Sequence, residues 1–144
     1  MNGSLSTFWF IFRERSILTL GAISQGCYEQ LKPQMQTLSN FLISELQHPN
    51  KMIRAITCWT LSRYSKFILL DNLSDFSEEL FRDFLTAILR RLLDNEPIVQ
   101  EAACTTLFIM VETNSKKQEP YLYDIFSIIV KAFELYKEET ITSL

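Results

Sequence analysis

The fold is decided by three nine-residue stretches of the chain, residues 12–20 (FRERSILTL), 53–61 (IRAITCWTL) and 99–107 (VQEAACTTL). Aligned one under another, they begin with an apolar residue, carry Arg, Arg and Gln at the second position, and end on leucine. Their first residues lie 41 and then 46 positions apart. That spacing is typical of repeats in which each unit is a hairpin of two helices.

A second helix is predicted in front of two of these stretches, and a third such helix near the end of the chain. In each, apolar residues recur three or four positions apart, as on one face of a helix. These residues are Leu38, Phe41, Leu42 and Leu46, then Leu85, Ile88, Leu89 and Leu93, and finally Ile125, Ile128, Ile129, Ala132 and Phe133.

The breaks between paired helices are brief, so the paired helices must be antiparallel neighbours. Asn50 is a candidate N-cap, Pro97 suits a first helical turn, and Asp75 with Glu78 forms a possible capping box. We therefore expect an all-α, HEAT-repeat α-solenoid of about three repeats made of stacked antiparallel helix pairs. The predicted units are a partial repeat at about 8–31, repeats at about 33–70 and 76–114, and a partial repeat at about 120–137.

Composition excludes several classes of function. The net charge is −3 and no basic stripe carries interleaved aromatics, so a nucleic-acid partner is disfavoured. The apolar run at residues 8–12 is too short for a membrane span, and no positive charge precedes it. We expect instead a helix that lacks a packing neighbour, a chain that is a fragment of a longer solenoid, and self-association near Trp9.

Catalysis and cofactors are not expected. The sequence has no Gly-rich phosphate loop, no nucleophile elbow and no zinc-binding cluster, which argues against an enzyme, a cofactor or a metal. His48 is predicted to be a surface residue. Cys58 and Cys104 share one repeat position and are predicted to be small core residues, and the odd cysteine count suits reduced thiols.

The second helix of each pair tends to line the concave side of a curved solenoid. Ile56, Trp59 and Arg63 share one face of such a helix. Trp59 fits two interpretations equally well: a contact site for an extended peptide, or a core residue between repeats. On the next such helix, Glu101 and Glu112 lie at the two ends of one helix face. They suit a basic ligand, although the spacing alone favours an ordinary solvated face.

Residues 56–64 (ITCWTLSRY) resemble the signature inner helix of the transportin class of karyopherin-β nuclear import receptors, and residues 15–27 and 99–104 resemble its neighbours. The resemblance implies a superhelix that binds nuclear localisation signals of cargo proteins, of the basic Pro-Tyr type, on its concave face. It also implies cytoplasmic and nuclear shuttling, with Ran GTPase and nucleoporins bound by other parts of the receptor. The cargo-signal residues implied by position are Leu18, Ile56, Trp59, Arg63, Ala102 and Glu112.

Several positions depart from the family pattern. Ile109 replaces a small polar residue, and Gln25 replaces an acidic one. The repeat that supplies the rest of the Pro-Tyr pocket in the family has no counterpart before Phe12, so we expect the isolated chain to bind cargo weakly or undetectably. The alternative from another class is a HEAT-repeat scaffold subunit of a multiprotein assembly such as a phosphatase complex.

Overall fold

The described residues of the computed structural model are 2–70 and 78–142, and every regular element within them is helical. The long helices are α1 (Asn2–Ile23), α3 (Met35–Glu45), α4 (Lys51–Leu70), α5 (Glu78–Leu92), α6 (Pro97–Thr113) and α8 (Leu122–Thr142). The connections contain two short helices, α2 (Tyr28–Leu31) and α7 (Ser115–Gln118), each followed by a single 3-10 turn, at Lys32–Gln34 and Glu119–Tyr121.

The long helices pack in two layers. Helices α3, α5 and α8 form layer A, in which successive helices are neighbours, and α1, α4 and α6 form layer B in the same way. Across the layers, α3 pairs with α4 and α5 pairs with α6. This is the stacked-hairpin architecture of a HEAT-repeat solenoid, so the predicted fold class is confirmed.

The core lies between the two layers, and α5 shows how the sequence builds it. The leucine, isoleucine and phenylalanine residues of α5, including Phe81, Phe84 and Ile88, recur at three- and four-residue spacing and are all buried. Acidic residues occupy its first turn and arginines its last, which matches the helix dipole at both ends. Burial of this apolar face against α6 and layer A holds the pair together.

Two of the predicted helix starts are confirmed. Oδ1 of Asn50 accepts a hydrogen bond from the backbone N–H of Met52 at 2.8 Å, which satisfies a donor in the first turn of α4. Pro97 is the first residue of α6, where its missing N–H removes no intrahelical bond. The predicted capping box at Asp75 lies outside the described residues.

Polar contacts that join neighbouring repeats recur at the second position of the aligned stretches. In each case a side chain of a layer B helix reaches an acidic residue at or near the end of the next layer A helix. The three pairs, at 2.6, 2.9 and 3.2 Å, are Arg13–Glu45, Arg54–Asp94 and Gln100–Glu139. The Arg, Arg, Gln pattern therefore marks a hydrogen-bond ladder between repeats.

A second ladder, which we call the threonine ladder, joins the helices of layer B. The hydroxyl of Thr60 donates to the carbonyl of Ile17 at 3.1 Å, and that of Thr106 donates to the carbonyl of Cys58 at 2.9 Å. Both donors are the eighth residue of an aligned stretch and both acceptors are the sixth residue of the stretch before. Thr19 is the eighth residue of the first stretch, where no described helix offers such an acceptor.

The terminal helices differ from their predicted extents. Helix α1 begins at Asn2 rather than near Phe8, since no proline interrupts it there, and α8 continues to Thr142. In the apolar run at residues 8–12 the side chains of Phe8, Trp9, Ile11 and Phe12 are 47–64% exposed, as predicted, whereas Phe10 is partly buried against the core. Phe133, the last residue of the apolar face predicted for this helix, is 69% exposed, and no described layer B helix packs over that part of α8.

Candidate functional site

An open groove crosses the three helices of layer B, and we call it the B-layer groove. It has a volume of about 330 Å³. Four of the six predicted site residues line it. They come from three helices: Leu18 from α1, Ile56 and Trp59 from α4, and Ala102 from α6. The remaining lining residues are Met52, Ala55, Ser62, Ile98, Glu101, Thr105 and Thr106.

Trp59 is turned into this groove because the opposite side of α4 carries the core residues. Ile53, Cys58, Leu61 and Tyr64 share the other face of the helix and are all buried, so Trp59 points the other way. The side chain is 42% exposed. Of the two interpretations that the sequence left open, the geometry therefore favours an accessible aromatic surface over a core tryptophan.

Gly21 lets α1 approach the indole of Trp59. A Cβ atom at this position would lie 2.5 Å from Cζ3 of Trp59 and 3.1 Å from Oγ1 of Thr60. Real Cβ contacts are essentially never as short as 2.5 Å. The sequence contains a signal for this contact, because a glycine inside a helix costs about 1 kcal/mol relative to alanine. Gly21 is thus a residue that shapes the groove and that the predicted site omitted.

Gly21→Ala is expected to destabilise the chain in the presence of Trp59 and to stabilise it in a Trp59→Ala background. With the indole present, the added methyl must displace the ring, at a cost of about 1–3 kcal/mol that outweighs the gain in helix propensity. Without the indole, the propensity gain of about 0.5–1 kcal/mol remains. Urea unfolding of the four variants measures the coupling, and equal effects of Gly21→Ala in the two backgrounds would contradict the contact.

Arg63 lies beside the groove rather than in its lining. Its guanidinium carbon is 5.8 Å from the centroid of the Trp59 ring, within the range of a cation–π contact. Its Nε atom is buried and has no hydrogen-bond partner among the described residues. The helical spacing of four residues brought Arg63 next to Trp59, whereas the unused donor was visible only in the structure.

The acidic residues of α6 are distributed along its exposed side. Glu101 lines the groove, whereas Glu112 is exposed eleven residues further along, which is about 16 Å on a helix. The predicted site named Glu112 and left Glu101 as part of the surface pattern. Glu101 is therefore the carboxylate in the groove lining, and Glu112 is a more distant negative charge on the same side of α6.

Of the two cysteines predicted as core residues, Cys58 is buried and Cys104 is exposed. Cys58 is fully buried, and burial raises the pKa of its thiol to about 12, so it is not a thiolate nucleophile. The prediction for Cys104 is wrong, because Cys104 is exposed. The reason is that α6 covers Cys58, whereas no described helix covers the equivalent side of α6.

Across residues 2–70 and 78–142, no cluster of His, Cys, Asp and Glu side chains is arranged to hold a metal ion. Within the part of the chain that the structure describes, no helix is long and apolar enough to cross a membrane. His48 is partly buried, and its Nδ1 accepts a hydrogen bond from the backbone N–H of Asn50 at 3.0 Å, so it is tied into the loop rather than free.

The helix pairs, the two ladders and the open groove define a HEAT-repeat fold with an accessible groove on layer B. A family model described as a HEAT-like repeat matches residues 11–64. The chain is homologous over about nine-tenths of its length to the transportin and importin beta-2 family.

Three relatives illustrate the match. Transportin-1 of Oryza sativa subsp. japonica is 38% identical over 132 residues, which is 92% of this chain and 15% of the relative. Transportin-1 of Homo sapiens is 34% identical over 135 residues, 94% of this chain and 15% of the relative. Importin subunit beta-2 of Schizosaccharomyces pombe is 32% identical over 132 residues, 92% of this chain and 14% of the relative. The chain thus spans about 15% of the length of these relatives.

Proposed function

We propose that this chain is a segment of a nuclear transport receptor and contributes to the surface that binds nuclear localisation signals of cargo proteins. The observation that carries the proposal is the B-layer groove, in which a half-exposed Trp59 lies with Leu18, Ile56 and Ala102. Homology to proteins named as transportin and as an importin subunit supports it. A receptor with this role shuttles between the cytoplasm and the nucleus.

The chemistry of the groove suits the Pro-Tyr end of an extended signal. A proline ring and a tyrosine ring both bury apolar surface well against a flat indole and a branched side chain such as Ile56. The guanidinium of Arg63 lies 5.8 Å from the centroid of the Trp59 ring, and this cation–π contact helps to hold the indole in place against a bound peptide.

The charge of the groove suits the basic part of such a signal. Glu101 lies on the groove and Glu112 further along α6, so a peptide running along α6 would meet two carboxylates. Exposed carboxylates of this kind speed encounter and select positive charge more than they add affinity. On this proposal Ran GTPase and nucleoporins bind other parts of the receptor, as expected for a segment that spans about 15% of its relatives.

Trp59→Ala is expected to weaken binding of a basic Pro-Tyr signal peptide by about 30-fold, because truncating a tryptophan hot spot costs about 2 kcal/mol or more. The measurement uses a chimera in which this chain replaces the homologous segment of the rice transportin-1. Isothermal titration with the peptide gives the dissociation constant of the chimera and of its Trp59→Ala variant.

The matched control is Tyr123→Ala, which removes an exposed aromatic ring of α8 outside the groove. We expect it to leave the affinity unchanged. Equal affinities of the chimera with and without Trp59 would rule out the groove as the signal site. If the chimera does not bind the peptide and instead co-purifies stoichiometrically with a partner enzyme, the result supports the alternative function, a scaffold subunit of a multiprotein assembly.

A further inference from the structure

Glu101 is a charge without a partner in the lining of the B-layer groove. Among the described residues that form this lining, Glu101 alone is charged, and it is exposed. Within residues 2–70 and 78–142, no arginine, lysine or histidine forms an ion pair with it. An uncompensated carboxylate at the edge of a largely apolar groove favours a ligand that brings a positive charge to that place.

Helices α4 and α6, which supply most of the groove lining, run in the same direction. Lys51 at the start of α4 pairs at 3.1 Å with Glu96, which directly precedes α6. At the other end, the side chain of Asn114, which directly follows α6, donates at 3.1 Å to the carbonyl of Leu69 in the last turn of α4. Because the helices are parallel, one bond between them sets the level of every residue of α6 against α4.

The threonine ladder sets that level. Thr106 donates to the carbonyl of Cys58, the residue before Trp59, whereas Glu101 lies five residues before Thr106 and Glu112 six residues after it. With a rise of about 1.5 Å per residue, Trp59 stands about 9 Å from the level of Glu101 and about 8 Å from the level of Glu112. Eleven residues make about three turns, so both carboxylates lie on the same side of α6. The indole therefore has one carboxylate on each side of it along the helix axis.

The two carboxylates differ in the positive charge that lies near them. By the same register, Arg63 of α4 lies almost level with Glu112, so that carboxylate has a cation nearby. Lys51 and Arg54 are the cationic side chains of α4 near the level of Glu101, and both are already held in other ion pairs. The electrostatic potential is therefore more negative at the Glu101 end of the groove, which makes Glu101 the stronger attractor of a ligand cation.

We propose that Glu101 selects a second positive charge in the bound peptide, on the far side of Trp59 from the basic residue that meets Glu112. The preferred ligand is an extended peptide whose ring packs on the indole and whose basic side chains both precede and follow that ring. An extended chain advances about 3.3 Å per residue, so the second charge falls two or three residues beyond the ring. This inference rests on the proposed function, because it uses the same groove, and it adds a requirement that a basic segment ahead of the ring does not meet.

The test uses the chimera with rice transportin-1 described above and three Pro-Tyr peptides that share one basic segment ahead of the ring pair. The peptides carry lysine, serine or glutamate three residues after the tyrosine. At low ionic strength we expect the lysine peptide to bind about threefold more tightly than the serine peptide, as for an exposed ion pair, and the glutamate peptide to bind least tightly. Raising the salt concentration to about 0.5 M should remove most of the difference, because the charges are exposed.

Glu101→Lys is expected to reverse the order of the three peptides, so that the glutamate peptide binds most tightly. Damage to the fold would weaken all three peptides alike and could not produce a reversal. Glu101→Gln should make the three peptides bind about equally. Glu79→Lys is the matched control, because it makes the same change of charge at an exposed residue of layer A, and it should leave the order of the peptides unchanged.

The outcomes separate this inference from the proposed function. A chimera that binds none of the peptides overturns both. If binding depends on Trp59 but the order of the peptides is the same with and without Glu101→Lys, the proposed function stands and the second charge is ruled out. Reversal by Glu112→Lys in place of Glu101→Lys also overturns the inference, because the residue after the ring then lies at the other end of the groove.

Discussion

Replacing Asp94 with alanine is expected to lower the free energy of unfolding by about 3–5 kcal/mol, because it leaves a buried arginine without its anion. Both Asp94 and Arg54 are almost fully buried. The guanidinium of Arg54 donates to both carboxylate oxygens at 2.9 Å, and Arg91 donates to one of them at 3.0 Å. The backbone N–H of Glu96 donates to the same carboxylate at 3.1 Å.

The control is Glu96→Ala, which breaks the partly exposed ion pair of Glu96 with Lys51 at 3.1 Å. Pairs of that kind contribute about 0–1 kcal/mol, so the loss should be several times smaller than at Asp94. Urea unfolding with a common slope measures both. A loss below about 1 kcal/mol for Asp94→Ala would contradict the role assigned to the buried pair.

The ion pair of Asp94 and Arg54 also makes the stability of the protein depend on pH. Burial by itself raises the pKa of Asp94, but the hydrogen bonds from Arg54 and Glu96 and the charges of Arg54 and Arg91 outweigh it and hold the pKa below its ordinary value. Stability from this carboxylate is therefore fully present above the unfolded-state pKa of about 3.9 and is lost as the pH falls through the folded-state value. The difference in stability between wild type and Asp94→Ala should accordingly narrow in acid.

Phe84→Ala is expected to cost about 3–5 kcal/mol, which is the usual range for deleting a buried phenyl ring and leaving a cavity. Phe84 is completely buried in the apolar core, on the helix of layer A that has neighbours on both sides. The matched control is Phe126→Ala, since Phe126 is a strongly exposed phenylalanine of α8. Its loss should fall within about 0.5 kcal/mol. Similar losses for the two variants would mean that Phe84 is not a core residue.

Much of the fold was readable from the repeat pattern, because burial within a repeat depends on local spacing. The alignment of three stretches predicted the stacked helix pairs, and capping signals predicted the helix starts at Asn50 and Pro97. The spacing separated two apolar faces of α4 but left open whether Trp59 points outward or into the core. The alignment also singled out the second position, although only the structure identified Glu45, Asp94 and Glu139 as the partners.

What the pattern missed depends on contacts between repeats. Cys58 and Cys104 are equivalent in sequence, yet one is buried and the other exposed, because burial there depends on the next helix of the stack. Gly21 shapes the groove because it lies against Trp59, and Glu101 lines it beside residues of α4. Both contacts join residues about 40 positions apart, so the spacing within one helix could not predict them. Arg63 and Glu112 were placed on the correct helices but lie outside the groove lining.

The two ladders also decide where the molecule opens first. Each threonine bonds the repeat before it and each arginine bonds the repeat after it, so α4 is tied on both sides, whereas α1 and α8 are each tied on one. Local opening therefore begins at the ends and advances inward, one hairpin at a time, as in a zipper. Helix α6 is tied on both sides in the same way, by Thr106 and Gln100, so the two complete hairpins are the last to lose protection of their backbone amides. The first of them carries Trp59.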